Sequence, residues 1–284
     1  MKPDSKAFTD QSQSRNPGVE YKMDPEPEVV RPGYKGSEKL AGKVALVTGG
    51  DSGIGRSVAV HFALEGANVA IVYLNEHQDA EETKRMVQEA GQECLLLPGD
   101  QTDSKFCDRA VADTVAKFGR LDCLVNNAAF QDQIEDFTEI TDDHWDKTMR
   151  TNVDGYFYFA RAAMPHLKEG ATIINTASIN AFAGKGSMLD YSTTKGANLA
   201  FSRSLADQLT PKGIRVNTVA PGPIWTPFIP AGMTDTSNFG SDTPMGRPGQ
   251  PSELGPAYVF LACEDSSYIA GQTIHINGGM PTGG

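Results

Sequence analysis

Short apolar runs alternate with helix-like segments along most of the chain, and this alternation constrains the fold more than any other feature. The runs cover residues 44–47, 69–73, 94–98, 121–125, 172–175, 214–219 and 273–276. Helix-like segments between them include 56–65, 80–90, 105–118 and 191–209. Short uniformly apolar runs are typical of strands that are buried on both faces. The alternation therefore predicts an α/β domain, in which helices cover both faces of a doubly wound parallel sheet of about seven strands.

Residues 1–40 differ from the rest of the chain. They contain five prolines, few large aliphatic side chains and mixed charges, so they cannot form a core of their own. This segment is predicted either to be disordered or to lie as an extended arm on the domain or on a neighbouring subunit, where Tyr21 and Tyr34 would anchor it. No cofactor or catalytic motif occurs in residues 1–35, and we expect them to be dispensable for the fold. Residues 41–284 are predicted to form one catalytic domain.

Composition excludes several classes of function. The net charge of −11 argues against nucleic acid or an anionic membrane as a partner. The four cysteines, Cys94, Cys107, Cys123 and Cys263, form no CxxC pair and accompany no histidine cluster, so free thiols in a reducing cytoplasm are expected rather than a metal site. No apolar run reaches the roughly 18 residues of a membrane span, and residues 1–40 contain no apolar signal core. These features predict a cytoplasmic protein.

A glycine-rich loop follows the first apolar run directly and opens a helix. It reads Thr-Gly-Gly-Asp-Ser-Gly-Ile-Gly-Arg over residues 48–56. Gly49 permits the tight turn, Gly53 lets the backbone approach a pyrophosphate, and Gly55 allows close helix packing. The free N–H groups at a helix N-terminus favour phosphate. The loop therefore indicates a dinucleotide cofactor.

The spacing of these glycines resembles the TGxxxGxG motif of the short-chain dehydrogenases/reductases. The resemblance extends over about residues 40–284, through Asn-Asn-Ala-Ala at 126–129 in place of NNAG, Pro-Gly-Pro-Ile-Trp-Thr at 221–226, Asp100, and the glycine pair at 278–279. Ala129 is the mild departure from the family pattern. Within the family, the chain resembles the bacterial branch of glucose/ribitol-dehydrogenase-like and general-stress-protein oxidoreductases. The resemblance implies a Rossmann-type fold that binds NAD or NADP.

The resemblance also implies which residues bind the cofactor. Asp100 would bond the adenine, Asn127 would lie near the adenosine part, and Pro221, Gly222 and Thr226 would lie near the nicotinamide. The full expected set is Gly49, Asp51, Ser52, Gly53, Ile54, Gly55, Tyr73, Asp100, Asn127, Ala128, Tyr191, Lys195, Pro221, Gly222, Ile224 and Thr226.

Four residues form the predicted catalytic group. Tyr191 and Lys195 are four positions apart in a predicted helix, which puts a phenol and an ammonium side by side on one face. The ammonium, together with an oxidised nicotinamide, would lower the phenol pKa, so that Tyr191 exchanges a proton with a carbonyl or alcohol oxygen. Ser178, just past the fifth run, would hydrogen-bond that oxygen. In the family, the position of Asn152 holds a water that relays protons to the lysine.

Other functions on related folds fit the sequence less well. Sugar-nucleotide epimerases and dehydratases have TGxxGxxG spacing, and an enoyl reductase would separate tyrosine and lysine by more than three residues. A dinucleotide-binding sensor without turnover remains the rival from another class, although the intact catalytic group argues against it. The segment 227–248 stands where the family carries its substrate lid, and Trp225, Phe228 and Phe239 predict a partly apolar pocket for a small alcohol or carbonyl substrate.

Cofactor preference and assembly are the last predictions from sequence. An acidic residue at the end of the second strand would select NAD, but Tyr73 stands there, and Ser52 and Leu74 supply no cation for NADP. Arg56 starts the first helix and would point away from the ribose. We therefore expect both cofactors to bind, with a slight preference for NADP because nothing acidic opposes its phosphate. Gly196, Ala197 and Ala200 would let helices of neighbouring subunits approach, as in the family's homotetramers.

Overall fold

The computed structural model describes residues 11–233 and 235–282, and its centre is a parallel sheet of seven strands. The strands are β1 Val44–Thr48, β2 Asn68–Tyr73, β3 Cys94–Pro98, β4 Cys123–Asn126, β5 Thr172–Thr176, β6 Arg215–Pro221 and β7 Thr273–Ile276. Their order across the sheet is β3-β2-β1-β4-β5-β6-β7. This confirms the predicted doubly wound α/β fold. The fourth and sixth strands end one and two residues later than predicted, since Asn126 pairs with Asn175 and Pro221 with Ile276.

Helices cover both faces of this sheet. They are α1 Gly53–Leu64, α2 His77–Glu89, α3 Ser104–Phe118, α4 Asp142–Met149, α5 Gly155–Ala163, α6 Asn180–Ala183, α7 Leu189–Leu209, α8 Phe228–Gly232 and α9 Gly255–Ala262. Several begin two or three residues before the predicted start, because their first turns are polar or glycine-rich. The Asp103 side chain caps α3 by accepting from the Lys105 N–H, and Gly119, with φ of 80°, ends that helix.

Alternating strand side chains supply two apolar layers, which explains why the runs are apolar throughout. Val47, Ile71 and Val125 face one side and pack with α1 and α9, for example on Phe62 and Leu261. On the other side, residues such as Leu46, Leu124 and Ile173 pack with α3, α5 and α7. Because successive side chains in a strand point to opposite faces, a strand covered on both faces needs no polar alternation.

The described part of the N-terminal segment, residues 11–40, lies against the domain. Val19 and Met23 are 2 % and 4 % exposed, and the Trp225 indole N–H donates to the Pro25 carbonyl at 2.8 Å. Glu20 is also buried and pairs with Arg56 of α1. These contacts give the arm a structural role that its composition does not indicate. Residues 1–10, which share the arm prediction, lie outside the described residues.

The chain changes direction across the sheet between β1 and β4. From β1 it proceeds outwards to β2 and β3, and from β4 it proceeds outwards on the other side. The connections after β1 and β4 therefore diverge and leave a crevice at the carboxyl ends of these strands. Ligands of open α/β sheets bind in this crevice.

Candidate active site

One large cavity, of about 1080 Å³, lies at the carboxyl ends of the central strands. It brings together nearly all of the residues predicted for the site: Gly49, Asp51, Ser52, Gly53, Ile54, Tyr73, Asp100, Asn127, Ala128, Ser178, Tyr191, Lys195, Pro221, Gly222, Ile224 and Thr226. Gly55 and Asn152 do not line it. The volume is slightly above the roughly 300–1,000 Å³ of ordinary small-molecule sites and suits a cofactor together with a small substrate.

The glycine-rich loop makes a cradle at the N-terminus of α1 that side chains would fill. Gly49 and Gly53 have φ values of 62° and 52°, and a Cβ at Gly53 would lie 2.9 Å from the Thr226 methyl carbon. A Cβ at Gly55 would lie 1.8 Å from the Gly49 carbonyl oxygen. Gly55 is thus required for packing, whereas Gly53 keeps the cavity wall open. The loop fits the pyrophosphate of a dinucleotide.

Asn127 holds this loop in place. Its side-chain amide donates to the carbonyl oxygens of Thr48 at 3.1 Å and of Gly49 at 3.3 Å. The Thr48 hydroxyl in turn accepts from the backbone N–H groups of Asn127 and Ala128. The ends of β1 and β4 are therefore joined by side-chain hydrogen bonds at the crevice.

Tyr191 and Lys195 lie side by side on α7, as their spacing predicts. The Lys195 Nζ is 5.4 Å from the centroid of the Tyr191 ring. It donates to the Thr176 carbonyl at 2.8 Å and lies 3.4 Å from the Tyr156 hydroxyl. Sequence reasoning missed Thr176 and Tyr156 as partners of the lysine, because neither belongs to a motif and both come from other elements.

Burial dominates the proton affinities of this pair. It lowers the pKa of Lys195 to about 7. It raises the pKa of Tyr191 to about 12, while the hydrogen bond with Ser178 opposes that rise. We expected the ammonium to lower the phenol pKa. In the protein alone, desolvation is the larger effect, since both side chains are buried.

Asn152 lies behind the cavity and hydrogen-bonds to two separate segments of the chain. It lies in a π-helical turn, Arg150–Asp154, between α4 and α5, a form of turn that is common at functional sites. Its side chain accepts from the Phe130 N–H at 2.7 Å and donates to the Phe130 carbonyl at 2.8 Å. It also donates to the Thr194 hydroxyl at 3.1 Å, next to Lys195. Asn152 thereby ties the loop after β4 to α7.

The lid segment is partly apolar on its inner side. Phe228 and Phe239 line the cavity, and the Phe228 ring centroid is 6.2 Å from that of Tyr191. Trp225, however, is fully buried behind the wall and packs with Met23 of the arm. The tryptophan therefore contributes to packing of the lid and arm rather than to the pocket surface.

Two carboxylates lie at the end of the cavity next to β2, contrary to the expectation that nothing acidic is there. Glu76, three residues after Tyr73, lines the cavity together with Asp51 of the glycine-rich loop. Burial and the nearby Glu76 raise the pKa of Asp51 to about 7. Arg56 points away from this place, as predicted, because it pairs with Glu20 and Asp79. Sequence reasoning missed Glu76, because it considered the end of β2 and the glycine-rich loop but not the residues that follow Leu74.

Within residues 11–233 and 235–282, no three His, Cys, Asp or Glu side chains are grouped so as to hold a metal ion. No helix in the same residues is both long enough and apolar enough to cross a membrane.

A Rossmann-type sheet, a glycine-rich phosphate cradle and a tyrosine beside a lysine define a nicotinamide-dependent oxidoreductase. Comparison with known proteins agrees with this class. Residues 49–281 match the family model described as Enoyl-(Acyl carrier protein) reductase. Among solved structures, a short-chain dehydrogenase from Burkholderia cenocepacia in complex with NADP has a TM-score of 0.80 and 31 % identity, over 85 % of this chain and 98 % of that one. A 3-ketoacyl-(acyl-carrier-protein) reductase from Brucella melitensis, complexed with NADH, has a TM-score of 0.79 and 32 % identity, over 84 % and 98 %.

Closer relatives are known from sequence. General stress protein 39 of Bacillus subtilis is 53 % identical over 95 % of each chain. The glucose and ribitol dehydrogenase of Daucus carota is 49 % identical over 98 % of each chain. An NADPH-dependent aldehyde reductase of Arabidopsis thaliana is 50 % identical over 95 % of this chain and 96 % of that one. The chain belongs to the short-chain dehydrogenase/reductase family, and it is an NAD(P)-dependent oxidoreductase that transfers a hydride between the nicotinamide and an alcohol or carbonyl group.

Proposed function

We propose that Tyr191 is the general acid of carbonyl reduction and the general base of alcohol oxidation. The observation that carries this role is the position of Tyr191 in the wall of a cavity that Ser178 also lines, with the Lys195 Nζ 5.4 Å from the Tyr191 ring. With a pKa of about 12, the phenol holds its proton at neutral pH and is ready to donate it. A bound nicotinamide supplies or accepts the hydride.

The other three residues support this proton transfer. Ser178 orients the substrate oxygen towards the phenol. Lys195, whose burial lowers its pKa to about 7, exchanges protons near neutral pH and is held by Thr176 and Tyr156. Asn152 is a positioning residue, because its side chain binds the Phe130 backbone and Thr194 rather than the cavity.

The cofactor is NAD or NADP, and we propose that the protein uses both, with a preference below about tenfold, or ~1.4 kcal/mol, that leans to NADP. The glycine cradle and the residues that line the cavity, from Gly49 to Thr226, would hold it. Tyr73 at the end of β2 neither attracts nor repels a 2′-phosphate. Dual use accords with the NADP and NADH named for the two solved relatives. Titration of NADH and NADPH by fluorescence tests it, and a hundredfold preference for either cofactor would contradict it.

The substrate we propose is a small aldehyde or ketone with an apolar substituent, and the corresponding alcohol in the reverse direction. Phe228 packs near Tyr191, and Phe239 lines the same cavity, so two aromatic rings are available to contact the substituent. The name of the Arabidopsis relative agrees with this class. Sugars and polyols are the second candidates, favoured by the name of the carrot relative.

A panel of aldehydes, ketones, sugars and polyols with both cofactors tests this proposal. We expect faster turnover of aldehydes than of sugars, measured as oxidation or reduction of the nicotinamide by absorbance. Tyr191→Phe is the control for background turnover. Cofactor binding without turnover of any substrate would favour a dinucleotide sensor instead.

The description of the matched family model makes enoyl reduction another candidate. The separation between Tyr191 and Lys195 argues against it, since an enoyl reductase would place tyrosine and lysine further apart. Including an enoyl thioester in the panel decides between the two, because reduction of its carbon–carbon double bond would overturn our choice.

For assembly and location, we propose a homotetramer in the cytoplasm. A Cβ at Gly196 on α7 would meet no atom within 4 Å, and Ala200 is exposed, so these small residues leave room for a facing helix instead of packing on their own sheet. Phe157 on α5 is 46 % exposed. The cysteines are free thiols, as in proteins of reducing compartments. Light scattering at micromolar concentration should give the tetramer mass, and a monomer would contradict the proposal.

A further inference from the structure

Residues 15–18 of the arm, which we call the strap, cross the opening of the cavity. On one side Asn16 donates from its side-chain amide to the Gln131 carbonyl at 2.9 Å and to the Asp132 carboxylate at 3.0 Å, both beyond β4. On the other side Arg15 binds Asn75 and Glu76, just beyond β2. Residues 16–18 line the cavity itself. The strap therefore belongs to the wall of the proposed cofactor site, although no motif identifies it.

Arg15 lies beside the part of the cavity where the adenosine end of a dinucleotide is expected. It does not line the cavity itself, but its ion-pair partner Glu76 does. In folds of this type, the ribose that carries the 2′-hydroxyl or 2′-phosphate lies at the end of the second strand. Tyr73, Leu74 and Glu76 all line the cavity there. The guanidinium of Arg15 binds Glu76 in an ion pair, and the Glu76 side chain is only 1 % exposed. Arg15 thus offsets the charge of a carboxylate that would otherwise face the phosphate.

The guanidinium of Arg15 also has N–H groups that could bind a phosphate. Its Nε donates to the Pro17 carbonyl at 3.0 Å, and its Nη2 donates to the side-chain oxygens of Asn75 and Glu76. In the described part of the chain, its Nη1 has no hydrogen-bond partner, and the side chain is 42 % exposed. A planar guanidinium with free N–H groups suits a phosphate better than any neutral side chain.

Among the described residues, the other cations near the cavity are placed elsewhere or already paired, so they are less suited to bind a 2′-phosphate. Those that line the cavity, Lys147, Arg150, Lys185 and Lys195, all belong to elements that follow β4 in the chain. Lys147 lies 3.7 Å from the centroid of the Phe130 ring, and Lys195 is held by Thr176. Arg56 is buried against Glu20 and Asp79.

We propose that Arg15 is the residue that admits the 2′-phosphate of NADP, and that Glu76 is the group that opposes it. The inference rests on the proposed use of both cofactors and explains how NADP is tolerated despite two carboxylates at this end of the cavity. The specificity-determining cation then comes from the arm, and neither the glycine-rich loop nor the end of β2 supplies it.

The test uses two cofactor fragments, 2′,5′-ADP and 5′-ADP, whose binding to the full-length protein is measured by calorimetry at constant pH and salt. A hydrogen bond to a charged group contributes about 1.5–3 kcal/mol, or roughly 10–100-fold in affinity. Because Arg15 is partly exposed, we expect Arg15→Ala to weaken 2′,5′-ADP at the lower end, by about tenfold, and to change 5′-ADP by less than about threefold. Glu76→Gln should tighten 2′,5′-ADP, and Arg15→Lys should restore part of the loss.

Lys22→Ala is the matched control, since it removes the same charge from an exposed position of the same arm. Equal weakening of both fragments by Arg15→Ala would mean that the strap only shapes the cavity, and an unchanged 2′,5′-ADP affinity would mean that Arg15 has no part in it. Either result overturns the proposal. If Arg15→Ala fails to fold, Glu76→Gln decides, because no gain for 2′,5′-ADP would also refute it. Fragment binding needs no turnover, so a wrong proposed reaction would leave these results intact.

Discussion

The buried charge cluster between the arm and α1 predicts that loss of its cation destabilises the fold more than loss of one of its anions. Arg56 pairs with both Glu20 and Asp79, and the side chains of all three are at most 6 % exposed. Its Nε also donates to the Asp51 carbonyl and the Thr83 hydroxyl, each at 2.9 Å. One guanidinium therefore balances two carboxylates, and removing it has a different consequence from neutralising one acid.

Replacing Arg56 by methionine leaves two carboxylates buried together without a cation. Breaking a buried ion pair in this way costs about 3–5 kcal/mol of the free energy of unfolding. Glu20→Gln, in contrast, leaves Arg56 balanced by Asp79, and the new amide oxygen can still accept from the Gly53 N–H, which now donates to Glu20 at 2.6 Å. Burial already raises the pKa of Glu20 against the opposing effect of Arg56, so its charged form is poorly stabilised. We expect Glu20→Gln to cost less than about 1 kcal/mol.

Urea unfolding, followed by circular dichroism at one protein concentration and neutral pH, measures both changes. The fixed concentration matters because subunit association contributes to apparent stability. Arg85→Met is the control: this arginine on α2 also pairs with two glutamates, Glu82 and Glu89, but it is exposed, and we expect its loss to leave the midpoint unchanged. The reasoning would be refuted if Glu20→Gln cost as much as Arg56→Met, or if Arg56→Met cost nothing.

Two further predictions concern the catalytic pair. Tyr191→Phe removes the exchangeable proton without changing the shape of the ring, so turnover should fall by ~10²–10⁴-fold while the Kd for the cofactor stays nearly constant; a variant that keeps more than a tenth of the rate would exclude the assignment. Lys195→Met should stabilise the cofactor-free protein, and the gain should depend on pH. Below pH about 7 the wild-type fold must bury a charged ammonium, because the pKa of Lys195 is lowered to about 7. As pH rises from there towards ~10.4, the unfolded lysine also loses its proton and the penalty disappears. The difference between the two free energies of unfolding should therefore be largest below pH 7 and shrink above it; a difference independent of pH would contradict the lowered pKa.

The sheet could be predicted from sequence because its signal is local. Each strand is marked in the sequence by a short apolar run. Neighbouring residues such as Leu46 and Val47 are both apolar because both faces of the sheet are buried. The glycine-rich loop is equally local: Gly49, Gly53 and Gly55 have backbone angles or contacts that only glycine tolerates. The family's motifs also identified Ser178, Tyr191 and Lys195, which line one cavity in the structure.

What sequence could not supply are contacts between distant residues that carry no motif. Glu20 and Arg56 are 36 positions apart, and Arg15 and Glu76 are 61 apart. Neither pair has a periodicity or a spacing that predicts it. The pKa prediction was wrong for a related reason. The spacing of Tyr191 and Lys195 shows that they are neighbours, but the burial that shifts both pKa values depends on the whole surrounding fold.

The same distant contacts connect the arm to the phosphate cradle. Gly53 occupies the N-terminus of α1, where a pyrophosphate is expected, and its N–H already donates to Glu20 of the arm. Arg15 and Asn16, five and four positions before Glu20, bind the two sides of the cavity opening. A dinucleotide in this cavity would therefore contact a wall whose shape depends on the arm. If the ordered arm increases the affinity for the cofactor, the bound cofactor must stabilise the ordered arm by the same free energy, because such coupling is reciprocal. The arm is thus better regarded as a part of the cavity wall than as an appendage of the domain.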